Sequence, residues 1–205
     1  MSRRGTIILL NGTSSAGKST IAKALQEGLD EPYLHSGTDH FQLAYPPGLI
    51  MITDDPSVNV DGIVAVYGRE GLETVRFGPL ARRMFAGVHR AMAALSDAGL
   101  NVIVDSVLAE RWQLETIVAM LHAHPAYFVC IDISLAGAEA REVERGDRGP
   151  GNVRYFYDRV YGLNDVYDLR VDAGENDPEA CAQMIKEAVA TTEPVAIGRL
   201  YRQLS

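Results

Sequence analysis

The chain has 205 residues, with 47% apolar and 22% charged side chains and a formal net charge of −8. These values fit one α/β unit of an ordinary globular protein. The acidic balance disfavours a nucleic-acid or anionic-membrane binder, which presents a basic face, but local basic residues can still hold a small anion. The two cysteines, Cys130 and Cys181, stand in neither a CxxC nor a zinc-ligand spacing. They fit a reducing compartment. Arg3-Arg4 precedes only the five residues Thr6–Leu10 before Asn11-Gly12, too short for the apolar core of a signal peptide. No run approaches the length of a membrane span, and a cytoplasmic location is expected.

In chain order, the first strand is Thr6–Leu10. It runs into Gly12-Thr13-Ser14-Ser15-Ala16-Gly17-Lys18-Ser19, followed by Thr20 and an amphipathic stripe of Ile21, Leu25 and Leu29. The eight residues fit G-x-x-x-x-G-K-[ST], with a strand before and a helix after, as a phosphate-binding loop requires. Glycines let backbone N–H groups converge on an anion. The helix N-terminus adds unpaired donors. Lys18 supplies a point charge for the β/γ-phosphates, and Ser19 offers a hydroxyl to Mg²⁺. A guanine-reading N-K-x-D is absent from the sequence, and one P-loop in a chain this short points to a small-molecule kinase that uses ATP.

A weak second strand, Pro32–His35, leads to Ser36-Gly37-Thr38-Asp39-His40-Phe41. Strand carboxyl ends face the ligand crevice of an open α/β sheet. Asp39 there is either a helix N-cap or the base that accepts a substrate hydroxyl proton. Residues 46–76, rich in Pro, Gly and Asp, break the rhythm and read as an insertion with a hairpin or irregular loops that shapes an acceptor pocket. The stripe Leu80, Met84, Val88, Met92, Leu95 predicts a long helix ending at Gly99.

The third strand, Asn101–Val107, carries Asp105 after Val102-Ile103-Val104, a Walker-B-like ending in which the carboxylate holds Mg²⁺ directly or through water. Leu114, Ile117, Val118 and Leu121 mark a helix stopped by Pro125. Tyr127–Ser134 is the fourth strand. Arg141, Arg145 and Arg148 recur at i, i+4, i+7 on one helical face, beside Gly146, Gly149 and Gly151. They form either a lid that closes over phosphates or a solvated face with local ion pairs. Asp168–Asp172 is the fifth strand, and Pro178 opens a last helix through Val189. Five strands alternating with helices predict a three-layer P-loop fold around a parallel sheet.

Phe156 and Val160 fall at helical spacing and read as core, with some of Tyr155, Tyr157, Tyr161 and Tyr167 lining the pocket. Trp112 reads as packing, and His122 with His124 as a weak metal motif without carboxylate or cysteine partners.

Asn11-Gly12, Ser14–Ser19, Gly37 with Asp39, and Arg141-Glu142 with Arg145–Arg148 together resemble the chloramphenicol phosphotransferase family over roughly Arg4 to Val189. The resemblance implies a nucleoside-monophosphate-kinase-like P-loop domain over residues 1–205, with 139–152 as its lid. It implies Mg²⁺-dependent transfer from ATP to a hydroxyl of an antibiotic or other small molecule. It implies Asp39 as base and Arg145 and Arg148 as lid arginines, beside Lys18 as a catalytic charge. Nucleotide contacts are expected from residues 12–20 and Arg141, and metal contacts from Ser19 and Asp105. Thr13 departs from the glycine or small residue often found there, and 46–76 does not line up with the family, so the acceptor is not fixed by the resemblance. Rival readings are a kinase of a metabolite or nucleotide sugar, and a nucleotide-binding switch without an acceptor. The expected partner is a small hydroxyl acceptor, with no nucleic acid or membrane; self-association into a homo-oligomer is left open.

Overall fold

A computed structural model describes residues 3–42, 44–146 and 149–204; the side chain of Asp39 lies outside this description. Five parallel strands form the main sheet: β1 (Ile7–Asn11), β2 (Tyr33–Gly37), β6 (Asn101–Ser106), β7 (Ala126–Asp132) and β8 (Leu169–Asp172), in the order β2-β6-β1-β7-β8. β1 is central, and every one of its residues is buried. A parallel strand covered on both faces needs an unbroken apolar run, and Ile7–Leu10 provides one.

The two faces divide by strand alternation. Ile8 and Leu10 pack with Ile21, Ala22 and Leu25 of α1 (Lys18–Gly28) and with Cys181, Ala182 and Ile185 of α7 (Pro178–Thr191). Ile7 and Leu9 pack with Phe85 and Met92 of α3 (Pro79–Asp97) and Leu114, Ile117 and Leu121 of α4 (Arg111–Leu121). Burial of each such side chain stabilises the fold by about 1.5–3 kcal/mol.

The last helix predicted from sequence is not the last in the fold. After α7 the chain makes α8 (Ala196–Leu204), whose Ala196, Ile197 and Leu200 join the α3/α4 side of the core. Val88 and Met92 of the α3 stripe are buried as expected; the other buried residues are Ala81, Phe85, His89 and Ser96, whereas Leu80, Met84 and Leu95 are half-buried. Phe85 reaches inward because it stacks edge-on against Trp112, 5.1 Å between centroids.

The segment after α2 (Thr38–Gln42) makes a second, three-stranded sheet: β3 (Ile50–Thr53), β4 (Ile63–Gly68) and β5 (Gly71–Phe77). β4 and β5 form an antiparallel hairpin, and β3 runs parallel to β4. This sheet abuts α6 (Asn152–Tyr161), which follows α5 (Leu135–Arg145). Val75 N donates to Tyr155 Oη at 3.0 Å, and Leu72 N donates to Pro150 O at 3.0 Å.

Candidate active site

The carboxyl ends of β1, β2 and β6 meet in register, with Asn11 opposite Ser106 and Gly37 opposite Asp105. This is the crevice in which open α/β sheets bind ligands. The loop from β1 to α1 turns through two left-handed residues, Ser15 (φ 60°) and Gly17 (φ 94°). Gly17 is the N-cap of α1 and gives no side-chain cap, so the first N–H groups of the helix point outward to whatever sits in the loop.

Lys18 folds back over the loop, donating from Nζ to Gly12 O at 2.9 Å and Thr13 O at 2.7 Å. Ser19 Oγ donates to Asp105 Oδ2 at 2.6 Å. Burial pushes the Asp105 carboxyl upward. The imidazole of His35, the Ser19 hydroxyl and the charge of Lys18 outweigh that effect and hold it below the usual range. It is therefore an anion at neutral pH. Asp105 can approach this closely because Gly37 has no side chain: a Cβ there would lie 1.8 Å from Asp105 Oδ1.

A cavity of about 470 Å³ opens over the loop, lined by Lys18, Ser19, Thr38, Asp105, Arg141 and Arg145, among others. Arg141 spans two elements, donating from Nη1 to Ala16 O at 3.3 Å and from Nη2 to Ala173 O at 2.6 Å. It therefore clamps the P-loop to the segment after β8, and Asn176 and Pro178 of that segment also line the cavity. Arg145 ends α5, where Gly146 (φ 62°) caps the helix. Arg148 lies outside the described residues. Asp39 occupies α2 next to Thr38, with its side chain outside the description.

Several residues were given no role in the sequence reading. Asn11, buried at the end of β1, donates from Nδ2 to Tyr167 Oη at 3.0 Å and accepts from Leu108 N at 2.9 Å. It fastens the start of the P-loop to the loop after β6. Ser106, also buried, lines the cavity with a hydroxyl that has no hydrogen-bond partner. Glu142 accepts from Gly151 N at 3.2 Å and Val153 N at 2.8 Å, capping α6 from a neighbouring helix. Asn11 and Glu142 belong to the motif clusters, which signalled importance without a role; Ser106 gave no signal beyond its place after Asp105.

The tyrosines bond to the framework. Tyr157 Oη donates to Ile133 O at 2.9 Å and Tyr161 Oη to Ile131 O at 2.8 Å. Burial pushes the Cys130 thiol up to about 12, with help from the charge of Asp132, so this cysteine is a buried apolar group and a poor nucleophile. His122 stacks on Tyr201 with 3.7 Å between centroids.

A P-loop at the carboxyl edge of a five-stranded parallel sheet, with a hydroxyl–carboxylate pair beside its lysine, defines the class of P-loop kinases and phosphotransferases. Within that class the chain belongs to the family described as chloramphenicol phosphotransferase-like protein, whose model matches residues 5–190. A Mycobacterium tuberculosis H37Rv protein, provisionally named an O-phosphotransferase, is 32% identical over 208 residues, covering 97% of this chain and 89% of that one. Solved structures share the fold. A sugar kinase from Janibacter aligns with a TM-score of 0.63 at 15% identity, covering 91% of this chain and 95% of that chain. The tunicamycin resistance protein of Deinococcus radiodurans gives 0.62 at 17%, covering 93% and 99%. The M. tuberculosis APS kinase, in complex with AMPPNP and APS, gives 0.60 at 18%, covering 93% and 100%. Among the described residues, no helix is long and apolar enough to cross a membrane.

Proposed function

We propose that the protein transfers the γ-phosphoryl group of ATP to a hydroxyl of a small molecule, an antibiotic or a comparable polar metabolite. The observation that carries this reading is the Lys18–Ser19–Asp105 arrangement at the floor of the cavity, with Arg141 and Arg145 on its wall. The orphaned Ser106 hydroxyl and the outward N–H groups of α1 fit a polyphosphate. The nucleotide-bound APS kinase of similar fold supports ATP as the donor.

Ser19 and Asp105 are hard oxygen donors, one of them anionic, and that set suits Mg²⁺. When bound, Mg²⁺ supplies charge neutralisation at the β- and γ-phosphates.

The chain's own residues do the rest. Backbone amides of residues 13–19 hold the phosphates, and Lys18 leaves its two carbonyl partners for the β/γ oxygens. Asp39 takes the proton from the acceptor hydroxyl as its oxygen bonds to the γ-phosphorus. The bond from that phosphorus to the β–γ bridging oxygen breaks, and ADP leaves. Arg145, with Arg148, neutralises charge as it spreads over the transferred group. The three-stranded sheet beside the lid is the natural holder of the acceptor.

The test is an acceptor panel with γ-labelled ATP, read by mass spectrometry, in the wild type and Asp39→Ala. A phosphorylated small molecule that disappears in the variant, with ATP-analogue binding retained, is expected. Near-normal turnover in Asp39→Ala overturns the base assignment. ATP binding without any phosphorylated product would instead favour a nucleotide-controlled switch.

A further inference from the structure

Two histidines, from β2 and α2, lie close to Asp105, and the phosphotransfer reading uses neither. His35 and Gly37 are two residues apart on β2, so the His35 side chain lies on the face of the strand where Gly37 leaves room for Asp105. His35 Nε2 lies 3.4 Å from Asp105 Oδ2, and the two side chains are only 10% and 9% exposed. That nitrogen is buried and has no hydrogen-bond partner. His40, on α2, meets the His35 ring edge-on with 5.0 Å between centroids. One ligand atom from each of His35, His40 and Asp105 lies within 4.8 Å of the other two.

We propose that His35, His40 and Asp105 form a binding site for a divalent transition-metal ion of the Zn²⁺ class. Three observations carry it. First, the buried His35 Nε2 makes no hydrogen bond and faces the Asp105 carboxylate at 3.4 Å, an arrangement that an ion held between the two would satisfy. Second, the spacing is informative. A direct N–H···O bond is most often about 2.7–3.2 Å long. Tetrahedral Zn²⁺ with bonds of about 2.0–2.2 Å holds neighbouring ligands roughly 3.3–3.6 Å apart. The observed 3.4 Å matches the second spacing. Third, His40 is exposed, so its ring closes the remaining gap of about 1–1.5 Å by side-chain rotation, with no rearrangement of the core.

The donor set selects the ion. Two imidazoles and one carboxylate suit Zn²⁺, Co²⁺ and Ni²⁺, whereas Mg²⁺ takes oxygen ligands. Three protein ligands leave an open position. Asp105 Oδ2 is also the acceptor of the Ser19 hydroxyl, so an ion held by the histidines draws on the same oxygen.

The experiment uses the full chain, stripped with chelator and without nucleotide, so its outcome is independent of whether ATP binds or a phosphoryl group is transferred. Co²⁺ is titrated and followed by its visible d–d absorption, and Zn²⁺ is then added to displace it. One equivalent is expected. His35→Ala and His40→Ala are each expected to weaken binding roughly tenfold or more. His122→Ala, on the far exposed helix end, is the control and leaves it unchanged. His40 is exposed, so its variant reads the site even if His35→Ala folds poorly. Absence of stoichiometric Co²⁺ binding, or binding unaltered in His40→Ala, overturns the proposal.

Discussion

Gly37→Ala adds one methyl group at the tightest point between β2 and β6. The new Cβ falls 1.8 Å from Asp105 Oδ1 and 2.4 Å from Asp105 O, where ordinary contact begins at 3.4 Å. The carboxylate must therefore retreat by about 1.6 Å, and the two strands must part by about 1 Å to clear the Asp105 carbonyl. The backbone at Gly37 is an ordinary strand, so the penalty comes from crowding and not from φ. Overpacking of this kind costs about 1–3 kcal/mol. For a chain of this size that lowers the melting temperature by roughly 2–12 °C. The functional effect is larger, because a carboxylate displaced by that distance loses its 2.6 Å bond to Ser19. Misplacement by about 1 Å costs on the order of a hundredfold in rate. The assay is ADP release in the presence of the acceptor, paired with a thermal melt and circular dichroism. A folded Gly37→Ala protein with turnover within threefold of wild type would show that the position of Asp105 does not govern the reaction.

Burial lowers the pKa of His89 to about 4, against the hydrogen bond to Phe85 O that raises it. The folded state therefore refuses a proton that the unfolded chain accepts. The penalty is absent above about pH 6.5 and grows as pH falls toward 4, reaching roughly 2 kcal/mol at pH 5. Urea unfolding of His89→Leu at pH 7 and pH 5 is expected to show a stability loss smaller than wild type by about that amount; equal losses refute the assignment. Glu142→Ala removes the acceptor of Gly151 N and Val153 N and is expected to cost about 1–3 kcal/mol. Faster amide exchange at residues 151–155 than in α3 is the signature, and uniform exchange throughout the chain counts against it.

Local chemistry made the P-loop legible, since all its parts are contiguous and its flanks have opposite periodicity. The same holds for β1, β6 and β7, whose apolar runs are continuous because both faces are covered. What the sequence hid is what distant segments do together. Asn11 looked like a polar residue ending a strand, and its partners stand at Leu108 and Tyr167. Glu142 sits within α5 and caps α6, a role with no i, i+3 signature. His35 lies in the weakest strand, where alternation gave no reason to turn it toward Asp105. The α3 stripe held at Val88 and Met92 but lay one residue off at Met84, where Phe85 turns inward against Trp112 instead. Arg141 was expected with the lid, and the structure gives it bonds to Ala16 and Ala173.

Glu142 and the small sheet hold the same short stretch of chain from two sides. On one side the Glu142 carboxylate binds the N–H groups of Gly151 and Val153, and α5 carries Arg141 and Arg145 to the cavity wall. On the other, Tyr67 Oη accepts from Asn152 Nδ2 at 3.0 Å, and Leu72 N donates to Pro150 O at 3.0 Å. Residues 149–153 are therefore a joint between the sheet built from the insertion and the helix that ends in Arg145. Gly149 fits there because a Cβ would press within 2.6 Å of the Tyr67 ring. A displacement of β4 or β5 acts on this joint through the Leu72–Pro150 backbone bond and the Tyr67–Asn152 side-chain bond. It must be passed to α5 or break a bond of about 1 kcal/mol at the joint. The hydrogen bonds thus link the three-stranded sheet to the helix that carries Arg141 and Arg145 to the cavity wall.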